Sequence, residues 1–346
     1  MKHLRLLWVF ALCIALLPTH AFAWGPIGHM TVDYVAYQKL TPAAKARIRE
    51  LLQKNPDYAC WVAHLPNESS KASQETQDMM LFMIAATWPD DIKGSNYFTD
   101  DGSGGGNIPD NAPGSLSAQN IGYTDRLRHK YWHFVDLPDY AEPGAPRFDT
   151  PAPNAITQIA ALRAVLATPD PTDPKQKAKL DLLKSYDLAW LLHLIGDIHQ
   201  PLHSTTRVSQ ADPAGDAGGN FVHFCEPAKS PDAQPKCSPL HAFWDDLPGA
   251  DATYCADKIS CVRRAIALGS KLAPSDPALA ANLDPAQWAQ ESFQQAKANV
   301  YIAPVGPGDG PFTDTPVYHA QALKLAHAKV ALAGARLANL LNAELK

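Results

Sequence analysis

Residues 186–198 read YDLAWLLHLIGDI, apolar on nearly every side over more than three helical turns. A helix with no polar face is stable only when other elements enclose it, so this segment belongs at the centre of a helical bundle. Pro201 then ends it, since proline has no N–H to donate and crowds the preceding turn. The same segment nevertheless carries His193 and Asp197, four residues apart and therefore on one face. Burying that pair is costly unless something satisfies both side chains. The helix that organises the fold thus also points to its chemistry.

Apolar spacing at i, i+3 and i+4 predicts further helices over residues 29–54, 72–87, 154–168, 176–199, 284–300 and 316–344. The last carries an apolar stripe of Ala320, Leu323, Ala326, Val330, Ala333, Leu337, Leu340 and Leu341. Between the helices lie Gly/Pro-rich stretches at 94–122, 137–153 and 205–239; connections that long inside a compact domain are functional or clamped. There is no internal repeat, and no linker parts two hydrophobic patterns. The expectation is one mostly helical, all-α domain over residues 24–346, with long loops.

The chain opens with Lys2 and Arg5, an apolar run from Leu6 to Leu17, and the small-x-small string Ala21-Phe22-Ala23. That order predicts a signal peptide over residues 1–23 and a mature chain starting at Trp24, secreted or periplasmic. The alternative, a retained membrane anchor, is disfavoured by the length of the run and its flanks. Cleavage removes two cations and no acid, so the formal charge of −5 becomes two units more negative. This argues against a broad cationic surface for nucleic acid. Phosphate chemistry here would need local positive charge, for which metal ions are the obvious source.

In an oxidising compartment the close pairs Cys225/Cys237 and Cys255/Cys261 are expected to form two local disulfides, leaving Cys60 odd. No C-x-x-C occurs, which disfavours thiolate zinc ligation. Asn67-Glu68-Ser69 is a glycosylation sequon, meaningful only in a eukaryotic secretory pathway.

Ligand-type residues recur at regular spacing. His203 follows Pro201, and PLHAFWD repeats the His-x-x-x-Asp spacing with His241 and Asp245. One such pair is as often a surface ion pair; two copies, one inside a core helix, are harder to explain that way. Upstream, Asp90 and Asp91 end an apolar stretch in ATWPDDIK, and His133 sits in YWHFVD. The mature terminus reads WGPIGH. A free α-amine has a pKa near ~8, low enough for a metal to displace its proton, and with the adjacent carbonyl it could close a five-membered chelate. Gly25 and Gly28 would let the chain turn and bring His29 alongside. The plainer alternative is a disordered terminus.

Taken together, WGPIGH, WPDDIK, WHFVD, HLIGDIHQPLH, GGN and LHAFWD stand in the order and spacing of a known family. The chain resembles the trinuclear-zinc, single-strand-specific nucleases of the S-one/P-one type, which include plant bifunctional nucleases and share their architecture with zinc-dependent phospholipase C. The resemblance runs to the closing AGARLANLLN. It implies three zinc ions. Asp90, His133, His193 and Asp197 would hold one, and His203, His241 and Asp245 a second. The Trp24 amine and carbonyl with His29 would hold the third, bridged to the first by Asp197. The six other mature histidines (His64, His129, His199, His223, His319 and His327) match no ligand position and read as structural or solvent-exposed. The family usually has Ala where Pro89 stands, which leaves Asp90 and Asp91 open, position favouring Asp90. Asp246 and the loop between Cys225 and Cys237 also depart from the pattern.

The implied reaction is attack of an activated water on phosphorus, in line with a departing 3′ oxygen, with no protein general acid. The products would be 5′-phosphates from single-stranded DNA and RNA, and free phosphate from 3′-nucleotides. Lys93 matches a basic residue expected to neutralise charge on the phosphoryl oxygens, beside Asp90 and Asp197 at the metals. Phe134 is expected to stack on a base and Asp136 to accept from its edge, with Asn220 of the GGN turn a further substrate contact. No stable protein partner is implied, and the expected state is a monomer. Two other readings compete: a zinc-dependent phospholipase C, and a zinc-binding protein without catalysis.

Overall fold

The structure, a computed structural model, describes residues 24–65, 72–100, 118–228, 230, 234–249, 255 and 257–345. The expected leader, the Asn67 sequon and the middle of the 94–122 stretch lie outside them. Among the described residues twelve α-helices follow one another. They are α1 (Pro26–Tyr37), α2 (Pro42–Leu52), α3 (Tyr58–Ala63), α4 (Gln74–Ala85), α5 (Trp88–Asp91) and α6 (Ala155–Leu166). The second half holds α7 (Pro174–Asp197), α8 (Leu240–Asp246), α9 (Lys258–Gly269), α10 (Pro277–Ala280), α11 (Pro285–Gln295) and α12 (Pro316–Glu344). Strands are short: β1 (Pro138–Tyr140), β2 (Thr206–Val208), β3 (His223–Cys225), β4 (Cys237–Pro239) and β5 (Phe312–Thr313). The all-α expectation holds, and no helix among the described residues is long and apolar enough to cross a membrane.

Helix α7 is the axis. Every residue from Tyr186 to Asp197 is buried, and α1, α2, α5, α6 and α12 all pack against it. Fully burying a Leu or Ile side chain contributes about 1.5–3 kcal/mol. Leu188, Leu191, Leu192, Leu194 and Ile195 are all fully buried, so together they offset the cost of carrying His193 and Asp197 inward. The helix starts cleanly because Asp173 accepts from the Lys175 N–H and Pro174 occupies the first turn, where a missing N–H costs nothing.

The helix expected over 29–54 is in fact two. Thr41 caps α2 by accepting from the Ala44 N–H, and Pro42 sits in its first turn, so α1 cannot run through. The 284–300 helix begins at Pro285 after the Asp284 cap and ends in a π turn over Ala296–Val300. On α12 the expected stripe is shifted: Ala320 is exposed and Leu323 only half-buried, whereas residues 329–338 are enclosed all round. That half of α12 is wedged among α1, α7 and α10, so its composition of small residues reports close packing. Helices α3, α8, α9 and α10 were not expected. Of these α9 carries a capping box of Asp257 and Ser260, a readable local signal.

Two of the long loops are stitched together. Strands β1 and β2 pair in parallel, Pro138 opposite Thr206 and Tyr140 opposite Val208, and just upstream the Val135 N–H donates to His203 O at 2.8 Å. Strand β3 lies between β4 and β5. Both expected disulfides, Cys225–Cys237 and Cys255–Cys261, are formed, and Cys60 is free and exposed. The first joins β3 to β4, which runs directly into α8. Loop clamps of this kind set the positions of His203 and His241.

Candidate metal centre

The ligand-type residues arrive from separate elements. Helix α1 supplies His29, α5 Asp90, α7 His193 and Asp197, and α8 His241 and Asp245. Short 3₁₀ turns supply the rest: Lys93 from Ile92–Gly94, His133 from Lys130–His133, and His203 from Pro201–Ser204. None of these nine side chains belongs to a residue more than 7 % exposed. They fall into three groups whose ligand atoms lie within 4.8 Å of one another: His29, Asp90 and His193; His133, His193 and Asp197; and His203, His241 and Asp245.

In the first two groups His133 Nδ1 is 2.9 Å from Asp197 Oδ2, and His193 Nε2 is 3.2 Å from the same oxygen and 3.5 Å from Asp90 Oδ1. His29 Nε2 is 3.2 Å from the other Asp197 oxygen, and its ring stacks on His193 with centroids 3.8 Å apart. Asp197 therefore faces both sides of the cluster. Gly196 makes the contact possible, because a Cβ there would stand 2.9 Å from His29 Nδ1.

Backbone carbonyls fix three imidazoles. His193 Nδ1 lies 2.7 Å from Ala86 O, His203 Nδ1 2.7 Å from His133 O, and His241 Nδ1 2.7 Å from Gly218 O. A carbonyl can only accept, so each Nδ1 carries a proton, and in His203 and His241, whose rings burial keeps neutral, Nε2 presents a bare lone pair. Yet His203 Nε2 and His241 Nε2 face each other at 3.0 Å, and His193 Nε2 faces His133 Nδ1 at 3.0 Å. At His203 and His241 two acceptors are therefore aimed at one point, inside a buried cluster where Asp245 Oδ2 and Asp197 Oδ1 also lack a hydrogen-bond partner, an arrangement that a cation would satisfy; His133 Nδ1 also faces Asp197 Oδ2 at 2.9 Å and can donate to it. A ligating histidine that donates its other N–H to a carbonyl is the usual supporting arrangement at metal sites.

Electrostatics agree. Burial pushes Asp90 and Asp197 up, but Lys93 beside the first and His193 beside the second hold both well below the usual carboxylate range. His193 is lowered by burial yet raised by Asp197 and Asp90 to about 10. Burial, with His193 and Lys93 as neighbours, takes His29 down to about 4 and His133 to about 3. The second group is different. Burial pushes Asp245 well above its usual range and takes His241 down to about 3. This half of the site is short of positive charge.

The other expected residues are placed as follows. Asp90 rather than Asp91 enters the cluster; Asp91 pairs with Lys258 at 2.6 Å and ties α5 to α9. Lys93 Nζ is 2.8 Å from Asp90 Oδ1. Trp24 is fully buried, its Cδ1 on the same side of Gly196 as His29, and the Gly25 N–H donates to Asp245 O at 2.8 Å. The start of the described chain is thus fastened to the cluster. Phe134 is half-buried beside Tyr131, at 5.3 Å between centroids, and Asp136 is buried. The Asn220 amide donates to Ala217 O at 2.8 Å within its own turn. Of the remaining histidines, His199 uses both nitrogens away from the cluster, on Ile195 O and Arg336.

Two supporting residues were missed. Gln200 accepts from the Leu202 N–H, capping the turn that carries His203, and donates to Asp245 Oδ1 at 2.8 Å. Its signal was a polar residue directly before Pro201. Gly218 offers its carbonyl to His241 from a left-handed conformation, φ +61, where a Cβ would meet Leu202 O at 2.6 Å. Here glycine is required by both φ and space.

The S1/P1 nuclease family matches residues 24–346, nearly the whole chain. No curated protein matches it. The chain belongs to the S1/P1 nuclease family.

Proposed function

We propose that this S1/P1-family nuclease is an exported enzyme that uses three zinc ions to hydrolyse single-stranded DNA and RNA to 5′-phosphates, and 3′-nucleotides to free phosphate. The observation that carries the reading is the pair of facing imidazole lone pairs, His203 Nε2 and His241 Nε2, 3.0 Å apart with both rings anchored to backbone carbonyls. Nitrogen and carboxylate donors without thiolates suit zinc in a catalytic rather than a structural role.

The residues that fit the ions are Asp90, His133, His193 and Asp197; His203, His241 and Asp245; and His29 with the Trp24 amine and carbonyl, Asp197 being shared. When bound, the ions supply Lewis acidity and lower the pKa of water enough for attack on phosphorus near neutral pH. The chain's own part is to hold the donors rigid, turn the Nε2 of His193, His203 and His241 toward the ions by tying each Nδ1 to a carbonyl, and bring the substrate in. Lys93, lodged against Asp90, is placed to offset charge on a phosphoryl oxygen. Half-buried Phe134 offers a ring edge and face for a base, with Asp136 two residues on. A duplex cannot splay a base into so recessed a cluster, so single strands are preferred.

The test is elemental analysis beside nuclease assays on the chain beginning at Trp24 and on one extended before it. The chain starting at Trp24 should hold three zincs and cut single-stranded DNA faster than a matched duplex, leaving phosphatidylcholine intact. The extended chain should lose one zinc and most activity, because its Trp24 nitrogen is an amide. Three zincs and full activity in the extended chain would refute the role of the amine; zinc without phosphoester hydrolysis in either would refute the enzyme.

A further inference from the structure

A cavity lined by rings lies among the chain segments that also carry metal ligands. It measures about 260 Å³, and its walls include Trp88, Tyr97, Phe98, Tyr123, Tyr186 and Arg126, with two carboxylates already engaged, Asp57 by the Trp88 N–H at 2.5 Å and Asp125 by His129 at 2.7 Å. Trp88 forms the floor, with Phe98, Tyr123 and Tyr186 set edge-on around it at centroid distances of 6.2, 6.2 and 5.8 Å. At the rim Tyr97 is 66 % exposed, unusual for a ring of its size. The Arg126 guanidinium lies 4.1 Å over that ring and donates to the Tyr97 hydroxyl at 3.0 Å. It pairs with no carboxylate among the described residues.

Chain continuity links the cavity to the metal ligands. Trp88 is two residues from Asp90, and Tyr97 is four residues past Lys93. Arg126 precedes His133 on the next segment, and the two segments are zipped together by Thr99 N–H to Arg126 O at 2.6 Å and Arg128 N–H to Thr99 O at 3.0 Å. Tyr186 lies two turns before His193 on α7. Through space, Trp88 touches Trp190 (6.0 Å) and Trp190 touches His133 (5.5 Å), so floor and cluster are two ring contacts apart.

We infer that this cavity is a further nucleotide subsite: it takes a base of the single-stranded substrate between its rings while Arg126 meets the adjoining phosphate. The inference rests on the nuclease reading above and extends it to how a strand longer than one nucleotide is held. Rings accept any base face without hydrogen-bond readout, and an Arg beside them supplies the backbone contact that an acidic chain otherwise lacks. Packing alone accounts poorly for this arrangement, since Tyr97 is so exposed and, among the described residues, the Arg126 guanidinium is held by a ring and a hydroxyl and not by a carboxylate.

The experiment compares two substrates on the zinc-loaded enzyme, an oligothymidylate and thymidine 3′-phosphate, which carries a single base and so cannot fill the cluster and a further base subsite at once. Tyr97→Ala and Arg126→Ala should each lower kcat/KM on the oligonucleotide by about 10-fold, mainly through KM, and leave the mononucleotide unchanged. Tyr97→Phe should keep most of the stacking and hence most of the rate. Irradiating the wild-type enzyme with an oligonucleotide carrying 5-iodouracil should crosslink it to the peptide containing Tyr97 and Phe98. Equal losses on both substrates, or no loss with no crosslink at that peptide, would overturn the subsite. Wild-type enzyme inert on both substrates would instead overturn the nuclease reading, and the subsite with it.

Discussion

Gly196→Ala probes the cluster with one methyl group. Its Cβ would stand 2.9 Å from His29 Nδ1 and 3.2 Å from His29 Cε1, where ordinary contact begins at 3.4 Å. The His29 ring must therefore retreat by roughly half an ångström, which exceeds the ~0.2 Å tolerance of a metal–nitrogen bond. His193 stacks on the far side at 3.8 Å, so retreat is sideways, away from Asp197. The fold should survive. Replacing a glycine in the last turn of α7 gains at most about 1 kcal/mol, against about 1–3 kcal/mol for overpacking, a net loss of roughly 0–3 kcal/mol. Expected is a protein with a native circular dichroism spectrum, one zinc fewer per chain after dialysis, and hydrolysis of single-stranded DNA reduced 10-fold or more. Elemental analysis, thermal melting and a nuclease assay on one preparation decide it. Full zinc content together with full activity would show that the position of His29 against Gly196 has no part in metal binding.

Further expectations follow from single features. Burial raises the Asp187 carboxyl from an ordinary 3.8 to about 8, despite a hydrogen bond from Asn120. A raised folded pKa favours the folded state at low pH and costs stability as pH climbs toward 8. Asp187→Asn should thus leave melting at pH 4 unchanged and raise it by several degrees at pH 9, an equal shift at both pH values counting against the assignment. The double change Cys225→Ser, Cys237→Ser opens a loop of sequence separation 12 and should cost about 3 kcal/mol in chemical denaturation, with loosened zinc at His241 because β4 runs into α8. Lys93→Ala should cut kcat about 10²–10³-fold while the zinc count holds; a parallel loss of zinc would make Lys93 a structural partner of Asp90 instead.

How much of this was legible beforehand depends on the scale of the signal. The core helix announced itself because apolar residues on every side have one physical solution, enclosure, and its His–Asp pair announced a site for the same reason. The end of α1 was missed although Thr41-Pro42 marks it, because the apolar period carries across the break while the capping hydrogen bond does not show in a hydrophobic pattern. Ala320 was misplaced because small residues satisfy either face of a helix until its neighbours are known. Nothing in ligand spacing reveals the supports. The groups that set the tautomers of His193, His203 and His241 are the carbonyls of Ala86, His133 and Gly218, and any residue carries a carbonyl. Gly218 can be singled out only once φ is known. The cavity around Trp88 was invisible for a related reason: its rings come from positions 88, 97, 98, 123 and 186, and only the pairing of Thr99 with Leu127 brings the two loop segments together.

Charge supplies the strictest test of the proposed cofactor. The chain is acidic overall, and its cluster holds Asp90 and Asp197 ionised, with neutral histidines on the opposite side, Lys93 spent on Asp90 and the charge of His193 spent on Asp197. Stripped of ions, such a pocket offers a phosphate no net positive charge. With three dications it becomes strongly positive while the outer surface stays acidic. Metal removal should therefore abolish ground-state binding as well as turnover. In a titration of chelator-treated enzyme with thymidine 3′-phosphate, followed by calorimetry, affinity should fall at least 100-fold below that of zinc-loaded enzyme frozen out of turnover at low temperature. Restoring zinc should recover it, and should also raise the melting temperature, since a ligand bound by the folded chain alone stabilises it by mass action. If the stripped protein binds the nucleotide as tightly as the loaded one, the positive field comes from side chains such as Lys93 and Arg126, and the ions are not what draws substrate in.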